Sequence, residues 1–268
     1  MSAVLLDPAT RVDVYEAERP PFWWLLEREV LRYLRIWRYA LVGPVLSTLL
    51  FVVVFGTVLA RHVEGIGVSY GQFIVPGLVV QAIVNVGYYN GTTSLYEARR
   101  DRYLNCVLAS PLRWWEILSA LTLAAVLRGV LVALAVLAFA IPLTGLVVDQ
   151  PVYLLLVAPA VLLVAAQIGI IAGAYASSLD HVYSVESLVL LPLGFLGGIF
   201  YPVAQLPAGW QLVSELNPFF WLVQAGRYGF LGTADVPAGA ALGVVWVLAL
   251  ALTAWSARVF ATGRRLKA

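Results

Sequence analysis

Long apolar runs, separated by short polar segments, dominate this sequence of 268 residues. An α-helix rises about 1.5 Å per residue, so about 20 apolar residues cross the ~30 Å hydrocarbon layer of a bilayer. Six runs approach that length, and a soluble fold of this size cannot bury six such helices. The runs predict transmembrane helices over residues 39–60, 72–95, 117–141, 152–177, 183–200 and 238–259.

An amphipathic stretch, residues 22–38, precedes the first span. Apolar and aromatic side chains recur there at three- and four-residue steps, and arginines occupy the opposite face. This pattern predicts a helix that lies in the membrane interface, with its arginines toward the lipid headgroups. A soluble amphipathic helix packed on a partner is the alternative. The residues that define the two faces are Trp23, Trp37, Arg28, Arg32 and Arg35.

The segment after the fifth span is apolar but interrupted by glycine and proline. Pro192 and Gly194 already weaken that span. Non-helical backbone at membrane depth requires protein or water to satisfy its polar groups. We therefore expect one or two short re-entrant helices that act as an outer gate, with an apolar outer loop as the alternative. The expected gate residues are Phe200, Tyr201, Pro202, Trp210 and Phe219.

The placement of charge predicts the sidedness of the chain. Hydrophobic residues make up 62% of the sequence and charged residues 12%, about half the charge of a soluble domain. Of the 17 basic residues, all except Arg61, Arg128 and Arg227 fall in segments that six spans place on one side. Because cytoplasmic loops hold the excess of Lys and Arg, both termini are predicted to be cytoplasmic.

Together these patterns predict an all-α membrane protein. Six transmembrane helices follow an interfacial amphipathic helix, and short re-entrant helices lie between spans five and six. The predicted regions are a cytoplasmic tail (1–21), the interfacial helix (22–38), one transmembrane domain (39–260) and a basic cytoplasmic tail (261–268).

Two ionisable residues are predicted inside the membrane. Arg128 lies near the middle of the third span, where an arginine costs a few kcal/mol and requires an acceptor. We expect Glu186, near the inner end of the fifth span, to be its partner. A contact with substrate or with a lipid headgroup is the alternative.

The second span carries a polar and aromatic stripe. Gln81 and Asn85 share one helix face with Tyr88 or Tyr89, since these positions are separated by four, seven or eight residues. Hydrogen bonds between helices would explain such a stripe, and so would the lining of a substrate path.

The linker between the second and third spans, residues 96–116, begins with charged residues and continues with apolar residues at helical spacing. Pro111 ends this short helix. Its apolar stripe must be covered, either by the ends of this chain's own spans or by a cytoplasmic partner.

Motifs for catalysis are missing from the sequence. It contains no GxxxxGK[ST], GxSxG or HExxH segment, and its one cysteine, Cys106, has no His or Cys cluster around it. We therefore expect no catalytic residue, metal site or cofactor in this chain, and no nucleic-acid partner.

Four segments resemble the membrane subunits of ABC-2-type exporters, in order along essentially the whole chain. The segments are FIVPGL (73–78), LASPLRWWEI (108–117), LGGIFYPVAQLPAGWQ (196–211) and LNPFFWLVQAGRYGFLG (216–232). Within that family, the chain most resembles the small six-span permeases related to drug, nodulation-factor and polysaccharide exporters.

The resemblance implies a permease subunit of a bacterial inner-membrane exporter. Two permease copies would pair as a homodimer, and two cytoplasmic cassette subunits would supply the ATP and Mg²⁺ chemistry. A path for an amphipathic or lipid-linked cargo would lie near spans one, two and five. The implied docking residues for the cassette are Arg100, Asp101, Arg102, Tyr103, Leu104, Leu108, Pro111 and Leu112.

Two other functions stay open. A secondary transporter driven by an ion gradient would need carboxylates deep in its spans, and the predicted spans show none. A non-transporting membrane anchor for a cytoplasmic complex would show the same sequence pattern.

Overall fold

The computed structural model of this protein describes residues 20–58 and 68–263. Helices account for nearly all of these residues, and the described part contains no strand. The helices are α1 (Pro21–Arg35), α2 (Trp37–Val58), α3 (Tyr70–Arg100), α4 (Tyr103–Ala109), α5 (Trp114–Thr144), α6 (Pro151–Tyr175), α7 (Leu179–Val185), α8 (Leu191–Leu196), α9 (Ala208–Leu216), α10 (Pro218–Leu231) and α11 (Ala238–Thr262).

Five helical stretches of the described residues are long and apolar enough to cross a membrane. They are α3, α5, α6, the continuous stretch Leu179–Leu196 and α11. A sixth is obtained when α1 and α2, which are bent by 58° at a short break, are counted as one broken span. The all-α membrane fold is confirmed. Most of both predicted tails, and the end of the first predicted span, lie outside the described residues.

The fifth span lies four residues earlier than predicted at both ends. The Ser178 side chain accepts a hydrogen bond from the His181 amide and so begins α7. A π-helical turn, Glu186–Leu190, joins α7 to α8. The helix ends before Gly197 and Gly198, and Gly198 has a φ of 74° that most side chains avoid. Phe200 therefore belongs to the following turn rather than to the span.

Helix α3 forms the centre of the bundle, packed against α2, α5, α6 and α10. Its contact with α6 is closest where glycines meet. A Cβ added to Gly169 would lie 2.4 Å from the Gly87 carbonyl oxygen, and one added to Gly91 would lie 2.6 Å from the Ile170 nitrogen. Small residues allow such backbone approach between helices that share a membrane.

Two short helices, α9 and α10, occupy the segment between the fifth and sixth spans, as the sequence predicts. Asn217 begins α10, since its side-chain oxygen accepts a hydrogen bond from the Phe219 amide at 2.9 Å. The Asn217 amide group also donates to the Leu193 carbonyl at 2.7 Å. This second bond fixes the start of α10 against α8, and α10 then packs on α3, α6 and α11.

Candidate functional site

The two ends of α3 define the two ends of the bundle. Near its start, the Tyr70 hydroxyl donates to the Phe200 carbonyl at 2.7 Å. Its last residue, Arg100, is followed by α4. We call the end that carries α4 the inner end and the end that carries Phe200 the outer end.

A cavity of about 460 Å³ lies between α2, α3, α5 and the segment from α8 to Phe200. Its wall is mainly apolar. The polar side chains that line it are Ser47, Thr48, Gln81, Asn85, Tyr89 and Arg128.

Three of the four predicted path residues line this cavity. The Gln81 amide donates to Asn85 at 3.1 Å, and Tyr89 lies beyond them on the same wall. Tyr88 does not reach the cavity. It is fully buried, and its hydroxyl donates instead to the Val182 carbonyl at 2.7 Å. A buried phenol requires such an acceptor, so Tyr88 stabilises the contact between α3 and α7.

Close packing of α8 on α3 shapes the cavity at Gly194. A Cβ added there would lie 2.3 Å from the Gln81 side-chain oxygen. That oxygen has no hydrogen-bond partner among the described residues. Any larger residue at Gly194 would displace the Gln81 side chain. Because Gln81 lines the cavity, this displacement would change the cavity wall.

The predicted ion pair between Arg128 and Glu186 is wrong. The Arg128 guanidinium donates to the Asn90 side-chain oxygen at 3.2 Å and lies 4.7 Å from the Tyr33 ring centre. Glu186 instead accepts the hydroxyl hydrogen of Tyr89. The depth of Arg128 follows from its position in the third span, but its direction depends on how α5 is rotated, and the side chain points toward α1 and α3.

An aromatic cluster lies at the outer part of the cavity, where Phe51, Phe195 and Phe200 line its wall. The ring centre of Phe200 lies 5.0 Å from that of Phe55, 5.4 Å from Phe195 and 6.1 Å from Phe51. Sequence reasoning missed Phe51, Phe55 and Phe195, because in an apolar span they resemble residues that face lipid.

The other expected gate residues lie away from the cavity. Tyr201 donates through its hydroxyl to the Phe195 carbonyl at 3.2 Å, and Pro202 precedes a short 3-10 turn. Trp210 is exposed on α9, and Phe219 is buried at the start of α10. Of the expected gate residues, Phe200 alone lines the cavity.

A buried polar group stabilises the turn that carries Phe200. Arg227, on α10, is only 2% exposed and donates to the Gly198 carbonyl at 2.6 Å. The same guanidinium stacks on the Phe73 ring at 3.9 Å and lies 3.8 Å from a carboxylate oxygen of Asp235. Gln224 donates to that oxygen at 2.7 Å. The arginine is thus compensated by a carboxylate and a carbonyl, and it holds α10 against the turn after α8.

At the inner end, a buried carboxylate joins α1 to α3. Glu29 is 3% exposed, accepts hydrogen bonds from Arg28 at 3.0 Å and Ser94 at 2.7 Å, and forms an ion pair with Arg32 at 3.1 Å. Arg32 also pairs with Glu97 at 3.3 Å. These arginines therefore contact protein acceptors, whereas the sequence predicted that they face lipid headgroups. Arg35, Trp23 and Trp37 remain exposed.

The linker helix α4 has one buried face and one exposed face. Leu104 and Val107 pack in a cluster with residues of α1, α3 and α5. Tyr103 is half-buried, and the Arg28 guanidinium stacks on its ring at 3.6 Å. Leu104 is therefore covered by this chain and unavailable to a partner, contrary to the docking set implied by resemblance.

Several other residues of that set form an exposed strip at the inner end. Arg100 and Asp101 form an exposed ion pair at 2.8 Å, and the hydrogen bonds from Arg100 lower the pKa of Asp101. Arg102 turns the chain into α4 with a φ of 57°. Leu112 is half-buried. The strip consists of Arg100, Asp101, Arg102, Leu108 and Pro111.

The bundle of membrane-length helices, with a cavity between them and an amphipathic helix packed against the linker helix, defines a multi-pass membrane protein. The family model for ABC-2 type transporters matches residues 20–231, and the chain belongs to that family. It is a permease subunit of an ABC transporter, and the family implies a partner with an ATP-binding cassette.

Curated relatives agree with this assignment. The chain is 36% identical over 234 residues to the inner membrane transport permease YadH of Escherichia coli K12, covering 85% of this chain and 91% of that protein. It is 32% identical over 200 residues to the daunorubicin resistance ABC transporter permease protein DrrB1 of Streptomyces coeruleorubidus, covering 71% and 67%. Nodulation protein J of Neorhizobium galegae is 24% identical over 217 residues, covering 76% and 79%. The family predicted from the sequence is confirmed, and the protein is a multi-pass inner-membrane permease.

Proposed function

We propose that two copies of this chain form the path of an exporter for an amphipathic or lipid-linked cargo. Two separate cassette subunits bind ATP and Mg²⁺ and drive the cycle. The mainly apolar wall of the cavity, with a few polar side chains, suits a molecule that has an apolar body and a polar end. Both termini lie on the cytoplasmic side in this proposal, together with α4.

A continuous series of contacts between the linker and the cavity supports this proposal most directly. Tyr103 of α4 stacks under Arg28 of α1. On the same helix, Tyr33 lies beside Arg128, which lines the cavity. One rigid helix, α1, therefore contacts both the linker and the cavity wall.

A second contact couples α1 to α3. Arg32 reaches the Asn90 carbonyl at 3.5 Å, and the side chain of the same asparagine accepts from Arg128. A force on the exposed strip would move α4 and α1 together, because Arg28 of α1 stacks on Tyr103 of α4. Through the bend between α1 and α2, this movement would shift α2, which forms one wall of the cavity.

Substitution of Leu108 tests the docking surface. Leu108 is 38% exposed on α4, and Leu179, at the inner start of α7, is a matched control with the same exposure. We expect Leu108→Asp to reduce co-purification of the cassette subunit by about tenfold, because a buried interface position carries about 1–2 kcal/mol. Leu179→Asp should leave the complex intact. A Leu108→Asp complex that forms and hydrolyses ATP normally would refute this docking assignment.

A further inference from the structure

Arg128 lies in the wall of the cavity, and no carboxylate of the described residues is paired with it. In the described part of the chain, its polar partner is the neutral amide of Asn90, and its Nε atom donates to no acceptor. A charge held in apolar surroundings is unfavourable until an opposite charge or water compensates it.

The ionised groups around Arg128 have partners of their own. Arg32 lies on the neighbouring helix and is paired with Glu29 and Glu97. Glu186 accepts from Tyr89 and does not line the cavity. The lining therefore presents one net positive charge, at Arg128, among the residues that the structure describes.

The rest of the cavity suits an apolar tail. Arg128 lies near α1, whereas Phe51, Phe195 and Phe200 form the wall toward the outer end. The volume of about 460 Å³ falls within the range of about 300–1,000 Å³ that is usual for small-molecule sites. A single molecule with a charged head at Arg128 and a tail along the phenylalanines would satisfy both regions.

We propose that this cavity binds an amphiphile with an anionic headgroup, a phosphate or a carboxylate, and that Arg128 binds the headgroup. The inference rests on the proposed function, since it names the class of cargo for the same path. Arginine matches both groups because its planar fork donates two parallel hydrogen bonds to them. Cationic amphiphiles with the same tail should bind less tightly, because the same charge repels their headgroup.

Three probes that share one alkyl chain but differ in headgroup charge distinguish the contribution of the charge to binding from that of the apolar tail. Dodecyl phosphate, dodecyltrimethylammonium and dodecyl maltoside are titrated into the full-length permease in phosphatidylcholine nanodiscs, and equilibrium binding is measured. We expect dodecyl phosphate to bind at least about tenfold more tightly than the other two, the effect of one charge-assisted contact. Equal binding of all three would overturn the proposal.

Substitutions of Arg128 test whether this residue contacts the headgroup of the probe. Arg128→Gln should lower the affinity for dodecyl phosphate by about tenfold, and Arg128→Lys, which keeps the charge but not the two parallel hydrogen bonds, should lower it less. Arg258→Gln removes an exposed arginine on α11 and should leave binding unchanged. If Arg128→Gln does not fold, Asn85→Asp is decisive, because it keeps the side-chain shape and adds a negative charge to the cavity wall. Undiminished binding in whichever of these two variants folds would overturn the proposal.

The ATPase activity of the complex distinguishes cargo from a resident lipid. We expect dodecyl phosphate to stimulate hydrolysis by the permease–cassette complex, with no stimulation in Arg128→Gln. Binding without stimulation, with displacement by phosphatidylglycerol, would indicate a resident lipid site and overturn the assignment to cargo. Failure of the proposed function is distinguishable, because then no cassette complex forms, whereas the nanodisc binding measurement needs no cassette.

Discussion

Arg128 and Arg227 both lie within the helical bundle, but their surroundings differ. The guanidinium of Arg227 contacts the Gly198 carbonyl, the Phe73 ring and the Asp235 carboxylate. Among the residues with described positions, Arg128 contacts the side-chain amide of Asn90 and the Tyr33 ring, and it borders the cavity. The difference between them is a carboxylate: Asp235 compensates the charge of Arg227, whereas no carboxylate among the described residues pairs with Arg128, and the proposed ligand site rests on this difference.

The largest effect is expected when the compensated arginine is removed. Arg227→Leu leaves Asp235 and the Gly198 carbonyl with fewer donors and releases the turn that carries Phe200. We expect a loss of about 3 kcal/mol in the free energy of unfolding, because removing one partner of a buried ion pair leaves the other charge uncompensated. Thermal unfolding of the permease in nanodiscs measures this loss, and an unchanged midpoint would contradict the structural role.

The substitution Asp235→Asn tests the same ion pair by removing its negative charge. In Asp235→Asn, the side chain still reaches Gln224 and the Val203 amide, but the charge near Arg227 is lost. We expect a smaller loss, about 1–2 kcal/mol, because Arg227 keeps its hydrogen bond to the Gly198 carbonyl and its contact with the Phe73 ring, and the lost carboxylate is 3.8 Å from the guanidinium. A loss larger than that of Arg227→Leu, in the same assay, would show that the carboxylate stabilises the turn independently of the arginine.

The cavity wall should tolerate substitutions better than the ion pair between Arg227 and Asp235 does. In Gly194→Ala, the new methyl group meets the flexible end of Gln81, which can rotate away. We expect less than about 1 kcal/mol of destabilisation, together with weaker binding of dodecyl phosphate as Gln81 shifts. If stability falls by more than 2 kcal/mol, α8 and α3 pack too rigidly for an adaptable site.

The smallest effect on stability is expected for Arg128→Leu. The substitution removes a hydrogen bond to Asn90 and a ring contact, but it also removes a charge from apolar surroundings. These contributions oppose each other, and we expect a net change below about 1 kcal/mol. The midpoint of thermal unfolding, measured beside that of Arg227→Leu, decides whether the two arginines differ.

The sequence predicted the fold well because apolar length and charge placement act along the chain. The helices, the amphipathic α1 and the short helices α9 and α10 follow from local periodicity, glycines and prolines. The shift of the fifth span follows from Ser178, a cap residue that hydropathy alone does not register.

The site was less predictable because its side chains depend on how each helix is rotated and packed. Sequence spacing could not decide between Tyr88 and Tyr89, and only Tyr89 lines the cavity. Leu104 has the spacing of an exposed stripe, but α1 covers it. The partner of Arg128 comes from Asn90 on α3, a pairing that no local pattern contains.

Ligand-dependent thermal unfolding tests the difference between the two arginines most directly. The unfolding midpoints of the wild type, Arg128→Leu and Arg227→Leu are compared with and without dodecyl phosphate, since a ligand that binds the folded state raises the midpoint. We predict that Arg227→Leu unfolds at a lower temperature but is still stabilised by the ligand, whereas Arg128→Leu unfolds like the wild type and gains nothing. An Arg128→Leu protein that is stabilised as much as the wild type would contradict the account.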